Sequence, residues 1–87
     1  MTERILNDLA SVVANTWPDR DFPPVDMESK AFADLGLASI DLVVLAERLE
    51  QRYAKKLPFG TFLKTLRDRG ADDVSIGDLV AFLERYA

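Results

Sequence analysis

The sequence of 87 residues contains no cysteine and no histidine. Without cysteine the chain forms neither disulfide bridges nor cysteine metal sites, so its stability must come from packing. Without histidine it lacks the commonest general base, the serine–histidine nucleophile pair and most transition-metal sites. The acidic residues are spread over predicted loops and solvated helix faces, where ordinary pKa values are expected. We therefore predict that the protein is not an enzyme and binds no metal.

The sequence also lacks a long hydrophobic run and an excess of positive charge. No stretch approaches the roughly 20 apolar residues of a membrane-spanning helix, and the N-terminal residues do not resemble a secretory signal. The net charge of −4 argues against a nucleic-acid-binding face. With 48% hydrophobic residues, the chain can bury one modest core. We predict a cytoplasmic protein with a single domain, residues 1–87, that does not insert into membranes.

Apolar residues recur at steps of three and four, which predicts an all-α fold. A second helix is expected from about Ser39 to Tyr53 and a last helix from Ser75, with a shorter helix within residues 57–70. Residues 18–34 are rich in proline and aspartate and have no helical or strand period. The sequence therefore predicts a small irregular four-helix bundle, with three main helices, a short third helix and a long first loop.

The same spacing predicts which residues lie in the core. A long loop is costly to order, so we expect its apolar residues to pack on the core. These residues are Phe22, Val25, Met27 and Phe32. The expected inner face of the second helix consists of Ile40, Val43, Leu45 or Ala46, Leu49 and Tyr53.

The most informative segment, residues 32–42, lies at the start of the second helix. A serine in this position ordinarily caps the helix by accepting a hydrogen bond from an unpaired backbone N–H. Ser39, however, follows Leu35-Gly36-Leu37 in a tight approach where glycine suits a backbone turn. Apolar residues flank it, and it begins the most regular helix of the chain. The residues of this segment are compatible with either a capping role or a chemical role for Ser39.

The segment resembles the acyl carrier proteins and their polyketide and peptidyl relatives. Their mark is Leu-Gly-x-x-Ser followed by Leu or Ile, which reads Leu35-Gly36-x-x-Ser39-Ile40 here. The resemblance extends along the chain, through an apolar first helix, an acidic first loop and a second helix that ends in an aromatic residue. A Val-Ser-Ile pattern introduces the final helix, as in the family.

This resemblance implies a covalent cofactor and a set of partners. A phosphopantetheinyl transferase would move 4'-phosphopantetheine from coenzyme A onto the Ser39 hydroxyl, and the arm's terminal thiol would hold acyl groups as thioesters. The further partners implied are an acyl-loading enzyme, either an acyltransferase or an adenylating ligase, and a ketosynthase or other acyl-processing enzyme. The expected carrier is a monomer.

The resemblance also places a partner-binding surface and a possible shelter for the acyl chain. The residues expected to contact partners are Leu37, Ile40, Asp41, Val44, Glu47 and Arg48. Candidate lining residues for a sheltered chain are Leu42, Val43, Ala46 and Leu63. Each of these four is equally well explained as an ordinary core residue.

Three departures from the fatty-acid carrier pattern favour a specialised pathway. Ala38 replaces the aspartate that precedes the modified serine in those carriers. Residues 39–56 hold three acidic and four basic residues, a net charge of +1, where the typical helix is strongly acidic. Residues 57–70 form an unusually long connection, which we interpret as an enlargement of the core and, in the alternative, as a partner-specific or acyl-gating element. A polyketide, secondary-metabolite or specialised lipid pathway is favoured over housekeeping fatty acid biosynthesis.

Two other functions are compatible with the sequence. One is an aminoacyl, peptidyl or D-alanyl carrier, although Leu37-Ala38 is not the Gly-Gly-His or Gly-Gly-Asp usual in peptidyl carriers. The other is a non-catalytic helical interaction domain in which Ser39 only caps a helix. As a cap, Ser39 would contribute on the order of 1 kcal/mol to stability, which replacement by alanine would remove.

Overall fold

The computed structural model describes residues 2–86, which form four helices. They are α1 (Thr2–Thr16), α2 (Ser39–Tyr53), α3 (Phe59–Asp68) and α4 (Ile76–Tyr86). Helix α1 packs against both α2 and α4. Within residues 2–86 there is no strand, and only an isolated bridge pairs Lys30 with Ser75. The predicted all-α four-helix bundle is confirmed.

The helix ends follow from local chemistry. Helix α1 ends at Thr16, just before Trp17-Pro18, because proline lacks an N–H and disfavours helical geometry in the preceding residue. Helix α3 closes at Gly70, whose φ of +74° lies in the left-handed region. Helix α4 follows Ser75, whose Oγ accepts a hydrogen bond from the Asp78 N–H at 3.0 Å.

Each helix buries one stripe of apolar side chains in a common core. The buried residues are Leu9, Val12 and Val13 of α1, Leu42, Leu45 and Leu49 of α2, Leu66 of α3, and Ile76, Leu79, Val80, Phe82 and Leu83 of α4. Burial of one such large side chain stabilises a fold by about 1.5–3 kcal/mol relative to exposure. In a chain without disulfides, this burial is the main source of stability.

Helix α2 buries a different stripe from the one predicted. Ile40 is 67% exposed and Val43 is 49% exposed, whereas Leu42, Leu45 and Leu49 are buried. Both sets are apolar and both have helical spacing, so periodicity alone permits either face. The prediction that Ile40 and Val43 face the core is wrong, and the prediction for Leu45 and Leu49 is confirmed.

Backbone hydrogen bonds tie the long loop to the start of α4 and the residues just before it. The Ala31 N–H donates to the Val74 carbonyl at 2.8 Å, and the Gly77 N–H donates to the Met27 carbonyl at 2.9 Å. Three of the four predicted loop anchors, Phe22, Val25 and Phe32, pack partly buried against the core. The Met27 side chain is exposed, so that prediction is wrong: the carbonyl of Met27, and not its side chain, ties the loop down.

Residues 57–70 enlarge the core. The rings of Phe59 and Phe62 pack on Phe82 of α4, with centroid distances of 4.8 and 4.7 Å. Leu57 and Leu66 of the same segment are buried. The preferred interpretation of this long connection is therefore confirmed.

Candidate cofactor attachment site

A short, anchored loop carries the chain to the start of α2. The side chains of Leu35 and Leu37 are buried, and the Leu37 N–H donates to the Ala31 carbonyl at 3.0 Å. Between the leucines, Gly36 adopts a φ of +69°, a left-handed conformation that glycine adopts without steric cost. The chain then emerges at the surface, so Ser39 is exposed.

Leu37 does not belong to the partner-binding surface. Its side chain is only 4% exposed. A side chain held in the domain's own core is not available to another protein, so the prediction is wrong for this residue. The turn at Gly36 is what allows Leu35 and Leu37 to be buried together.

The N-cap of α2 is Ala38, and Ser39 is the first helical residue. The Asp41 carboxylate reaches back and accepts a hydrogen bond from the Ala38 N–H at 2.9 Å. This is one half of a capping box, and the Ala38 methyl group cannot supply the other half. The Ser39 hydroxyl has no hydrogen-bond partner within residues 2–86. The interpretation of Ser39 as a helix cap is therefore wrong.

The electrostatics at the start of α2 favour an anion. The first N–H groups of a helix have no intrahelical acceptor, and the helix dipole adds partial positive charge at this end. The nearby negative charge of Asp41 is offset by Arg20, whose Nη1 lies 3.4 Å from Asp41 Oδ2. The Arg20 guanidinium also lies over the Trp17 ring, 5.5 Å from its centroid. Phosphate groups commonly bind at such helix termini.

Sequence reasoning missed Arg20. It lies in the first loop, 21 residues before Asp41, and no local spacing connects the two. Only the folded chain brings this basic residue to the helix that Ser39 begins.

An open groove of about 220 Å³ borders Ser39. The groove is lined by Phe32, Ser39, Leu42, Leu63, Leu66, Arg67, Ala71, Asp72, Asp73 and Val74. The larger apolar lining residues are buried or half-buried, while Ala71, Arg67 and Asp72 are exposed. Two of the four predicted lining residues, Leu42 and Leu63, therefore line this groove. Val43 and Ala46 do not line this groove.

Asp73 fixes one wall of this groove to the loop that leads to α2. Its carboxylate accepts hydrogen bonds from the N–H groups of Phe32 at 2.9 Å, Ala33 at 3.1 Å and Val74 at 2.7 Å. Burial acts to raise the pKa of Asp73. The three N–H donors and the charge of Lys30 outweigh that effect, so the pKa lies below its usual value.

The remaining residues predicted to contact partners lie along α2. Ile40, Glu47 and Arg48 are exposed, and Val44 is half-buried. Val43, which was not predicted to be at the surface, extends the apolar part of this face. Contact between this face and partner enzymes stays a prediction.

Other kinds of site find no support within residues 2–86. No group of three or more Asp, Glu, His or Cys side chains comes together as metal ligands in this part of the chain. None of the helices between Thr2 and Tyr86 is long and apolar enough to cross a membrane.

Comparison with known proteins identifies one family. Residues 7–83 match the family model described as the phosphopantetheine attachment site. The match spans all of α2 and α3, most of α1 and α4, and the position of Ser39. The comparison with curated proteins found no match, and neither did the comparison with solved structures.

Proposed function

The chain belongs to the family of phosphopantetheine-attachment domains, and from this premise we propose that 4'-phosphopantetheine is attached to the hydroxyl of Ser39. Domains of this family are non-catalytic carriers of the covalently attached group, and they interact with modifying and acyl-processing enzymes. The protein is therefore a carrier and not an enzyme.

A comparison of the four serines supports the choice of Ser39. Ser29 is 7% exposed, and its Oγ is hydrogen-bonded to Asp26. Ser75 is half-buried and caps α4. Ser11 is exposed but lies within α1, away from the unpaired N–H groups of a helix start. Ser39 alone among them combines an exposed hydroxyl, no hydrogen-bond partner within residues 2–86 and a helix N-terminus.

The residues around Ser39 fit the cofactor. The N–H groups at the start of α2 and the helix dipole favour the phosphodiester anion. Arg20 limits the repulsion from Asp41 by pairing with it. The groove gives the arm an apolar floor beside the exposed Arg67. When bound, the group supplies a flexible arm with a terminal thiol that holds acyl groups as thioesters.

The environment of Ser39 also bears on the acid–base chemistry of the proposed attachment reaction. The Ser39 oxygen attacks the pantetheine-side phosphorus of coenzyme A, and the bond from that phosphorus to the diphosphate bridge oxygen breaks. The adenosine 3',5'-bisphosphate moiety leaves. The hydroxyl proton needs an acceptor, and the Ser39 side chain has no hydrogen-bonded base within residues 2–86. We infer that the phosphopantetheinyl transferase supplies the base, which fits a carrier that contains no histidine.

The surface of α2 supports a specialised pathway. Apolar Ile40, Val43 and Val44 lie beside Glu47 and Arg48, so the face is mixed in charge as well as partly apolar. A partner that relied only on basic residues would meet Arg48 unfavourably. We assign the carrier domain, residues 1–87, to a polyketide, secondary-metabolite or specialised lipid pathway, where an acyltransferase or adenylating ligase loads it and a ketosynthase or similar enzyme uses the acyl group.

The attachment is tested by the intact mass of the protein after incubation with coenzyme A and a promiscuous phosphopantetheinyl transferase. The unaltered protein is expected to gain a single phosphopantetheine arm. The S39A variant is expected to gain none, and S75A, as a matched serine variant, is expected to gain the arm normally. Equal modification of S39A and the unaltered protein would refute the assignment.

A further inference from the structure

The space between the helices limits the cargo that the carrier can protect. We propose that its acyl groups are short or polar and stay exposed to solvent, and that no long alkyl chain is sheltered inside the bundle. This inference rests on the proposed attachment at Ser39.

The interior next to the groove is almost filled. A cavity of about 10 Å³ lies between α2, α3 and α4. It is lined by Leu42, Leu45, Phe59, Phe62, Leu63, Val74 and Leu79. A cavity of about 10–15 Å³ is the smallest that holds one water molecule. Because a methylene group is similar in size to water, the interior has no room for a chain of several methylenes.

Aromatic rings from the long connection occupy this space. Phe59 and Phe62 pack on the buried Phe82, and their own centroids lie 6.4 Å apart in an edge-on arrangement. Protein interiors are close-packed, so an incoming chain would have to displace one of these rings from its contacts. The segment that enlarges the core thus also closes the interior to cargo.

The groove beside Ser39 offers only partial cover. It is partly open to solvent, and the exposed Arg67 and Asp72 border it. A long alkyl chain lying there would keep much of its surface in water and would meet two charged side chains. A short or polar acyl group does not incur this cost. Among acyl groups, the site therefore suits short and polar ones.

A series of acyl lengths tests this inference. Butyryl, hexanoyl, octanoyl and decanoyl groups, linked to the arm through an amide to prevent hydrolysis, are transferred to Ser39 from the corresponding coenzyme A analogues. The melting temperature is expected to be the same across the series. Burial of each methylene would instead raise it by roughly 3–6 °C. A stepwise rise with chain length would overturn the proposal.

The F62A variant provides the matched control. Loss of this ring opens space between Leu42, Leu63 and Phe82, so the melting temperature of F62A is expected to rise with chain length. If F62A does not fold, as judged by circular dichroism, F62L removes part of the ring volume with less disruption and is expected to show a smaller rise. A folded variant that is as insensitive to length as the unaltered carrier would refute the role assigned to the aromatic rings.

The mass of each loaded sample separates failure of this inference from failure of the attachment. If no arm is added, the attachment at Ser39 itself is refuted. If the arm is present and the methyl resonances of Leu45 and Leu79, which line the interior cavity but not the groove, shift progressively with chain length, the chain enters the interior and the proposal of an exposed cargo is wrong. Unchanged methyl resonances support it.

Discussion

The starts of α2 and α4 make a useful comparison, because each has a serine and only one serine is a cap. Ser75 lies just before α4, and its Oγ accepts the Asp78 N–H at 3.0 Å. Ser39 lies one position later relative to its helix, as the first residue of α2, and its hydroxyl has no partner within residues 2–86. A shift of one residue relative to the helix thus separates a structural serine from one available for modification.

The two helix starts are stabilised differently as a result. Helix α4 has a serine cap, and buried Val74 and Leu79 flank it on the core side. Helix α2 has Ala38 at the cap position, so its support comes from Asp41 and, through Asp41, from Arg20. The start of α2 has no side-chain cap, and within residues 2–86 the Ser39 hydroxyl has no partner, as the proposed attachment requires.

The largest loss of stability is expected on replacing Asp73, which links the chain segments that lead into α2 and α4. Asp73 binds the N–H groups of Phe32 and Ala33, ahead of α2, and that of Val74, ahead of α4. D73A should lower the free energy of unfolding by about 2 kcal/mol, because these donors lose their charged acceptor. D73N keeps one acceptor oxygen and should lose less. Urea titrations measure both, and wild-type stability in D73A would contradict the assigned role.

The lowered pKa of Asp73 predicts that the free energy of unfolding depends on pH. The pKa of Asp73 is lower in the folded protein than its usual value, so its contribution is present above the unfolded pKa of about 4. That contribution is lost as the pH falls towards the lower folded pKa. The difference in unfolding free energy between the unaltered protein and D73N should therefore shrink below about pH 4. A difference that grows with acidity would contradict the sign of the pKa shift.

The comparison of the serines is tested directly by their alanine variants. S75A should lose about 1 kcal/mol of stability because it removes a cap. S39A should change the free energy of unfolding by less than about 0.5 kcal/mol, as an exposed residue outside the cap position. Thermal and urea unfolding of both apo variants provide the measurement. A loss in S39A equal to that in S75A would show that Ser39 does act as a cap.

A smaller effect, an increase in stability, is expected when a side-chain cap is introduced at the start of α2. A38S places a hydroxyl at the N-cap position, where serine is favoured over alanine, and should stabilise the protein by roughly 0.5–1 kcal/mol. A38V, which adds no acceptor and is as poor an N-cap as alanine, serves as the control. No gain in A38S would indicate that Asp41 already satisfies this helix start.

The smallest effect is expected at Arg20. R20A breaks an exposed ion pair, and such pairs contribute only a few tenths of a kcal/mol on average. R20K keeps the charge and should be closer to the unaltered protein. Amide chemical shifts at Ala38 and Asp41 should change more in R20A than in R20K. Identical spectra for both variants would argue against the ion pair.

Much of the architecture could be predicted because it depends on local sequence. Pro18 and Gly70 end helices through backbone chemistry, and Ser75 begins one through a cap, so each lies where its pattern indicates. The start of α2 at Ser39 was predicted in the same way. The free state of the Ser39 hydroxyl was not, because it depends on which residue occupies the cap position.

The predictions fail for residues whose burial or partners are determined by tertiary contacts. Helix α2 has two apolar stripes with the same spacing, and only packing in the folded domain, against α1 among others, selects the one with Leu45 over the one with Ile40. Leu37 is buried after the turn at Gly36, where its N–H donates to the Ala31 carbonyl in a contact between two parts of the loop. Arg20 reaches Asp41 across a loop without secondary-structure periodicity. None of these pairings leaves a signal in local spacing.

The most direct test of the account is to locate the arm on the modified protein. Trypsin cleavage after Lys30 and Arg48 releases residues 31–48, in which Ser39 is the one hydroxyl-bearing residue. After incubation with coenzyme A and a phosphopantetheinyl transferase, fragmentation mass spectrometry should find the whole added mass on this peptide, at Ser39. An arm found on Ser11, Ser29 or Ser75, or an unmodified 31–48 peptide after complete reaction, would contradict the central claim.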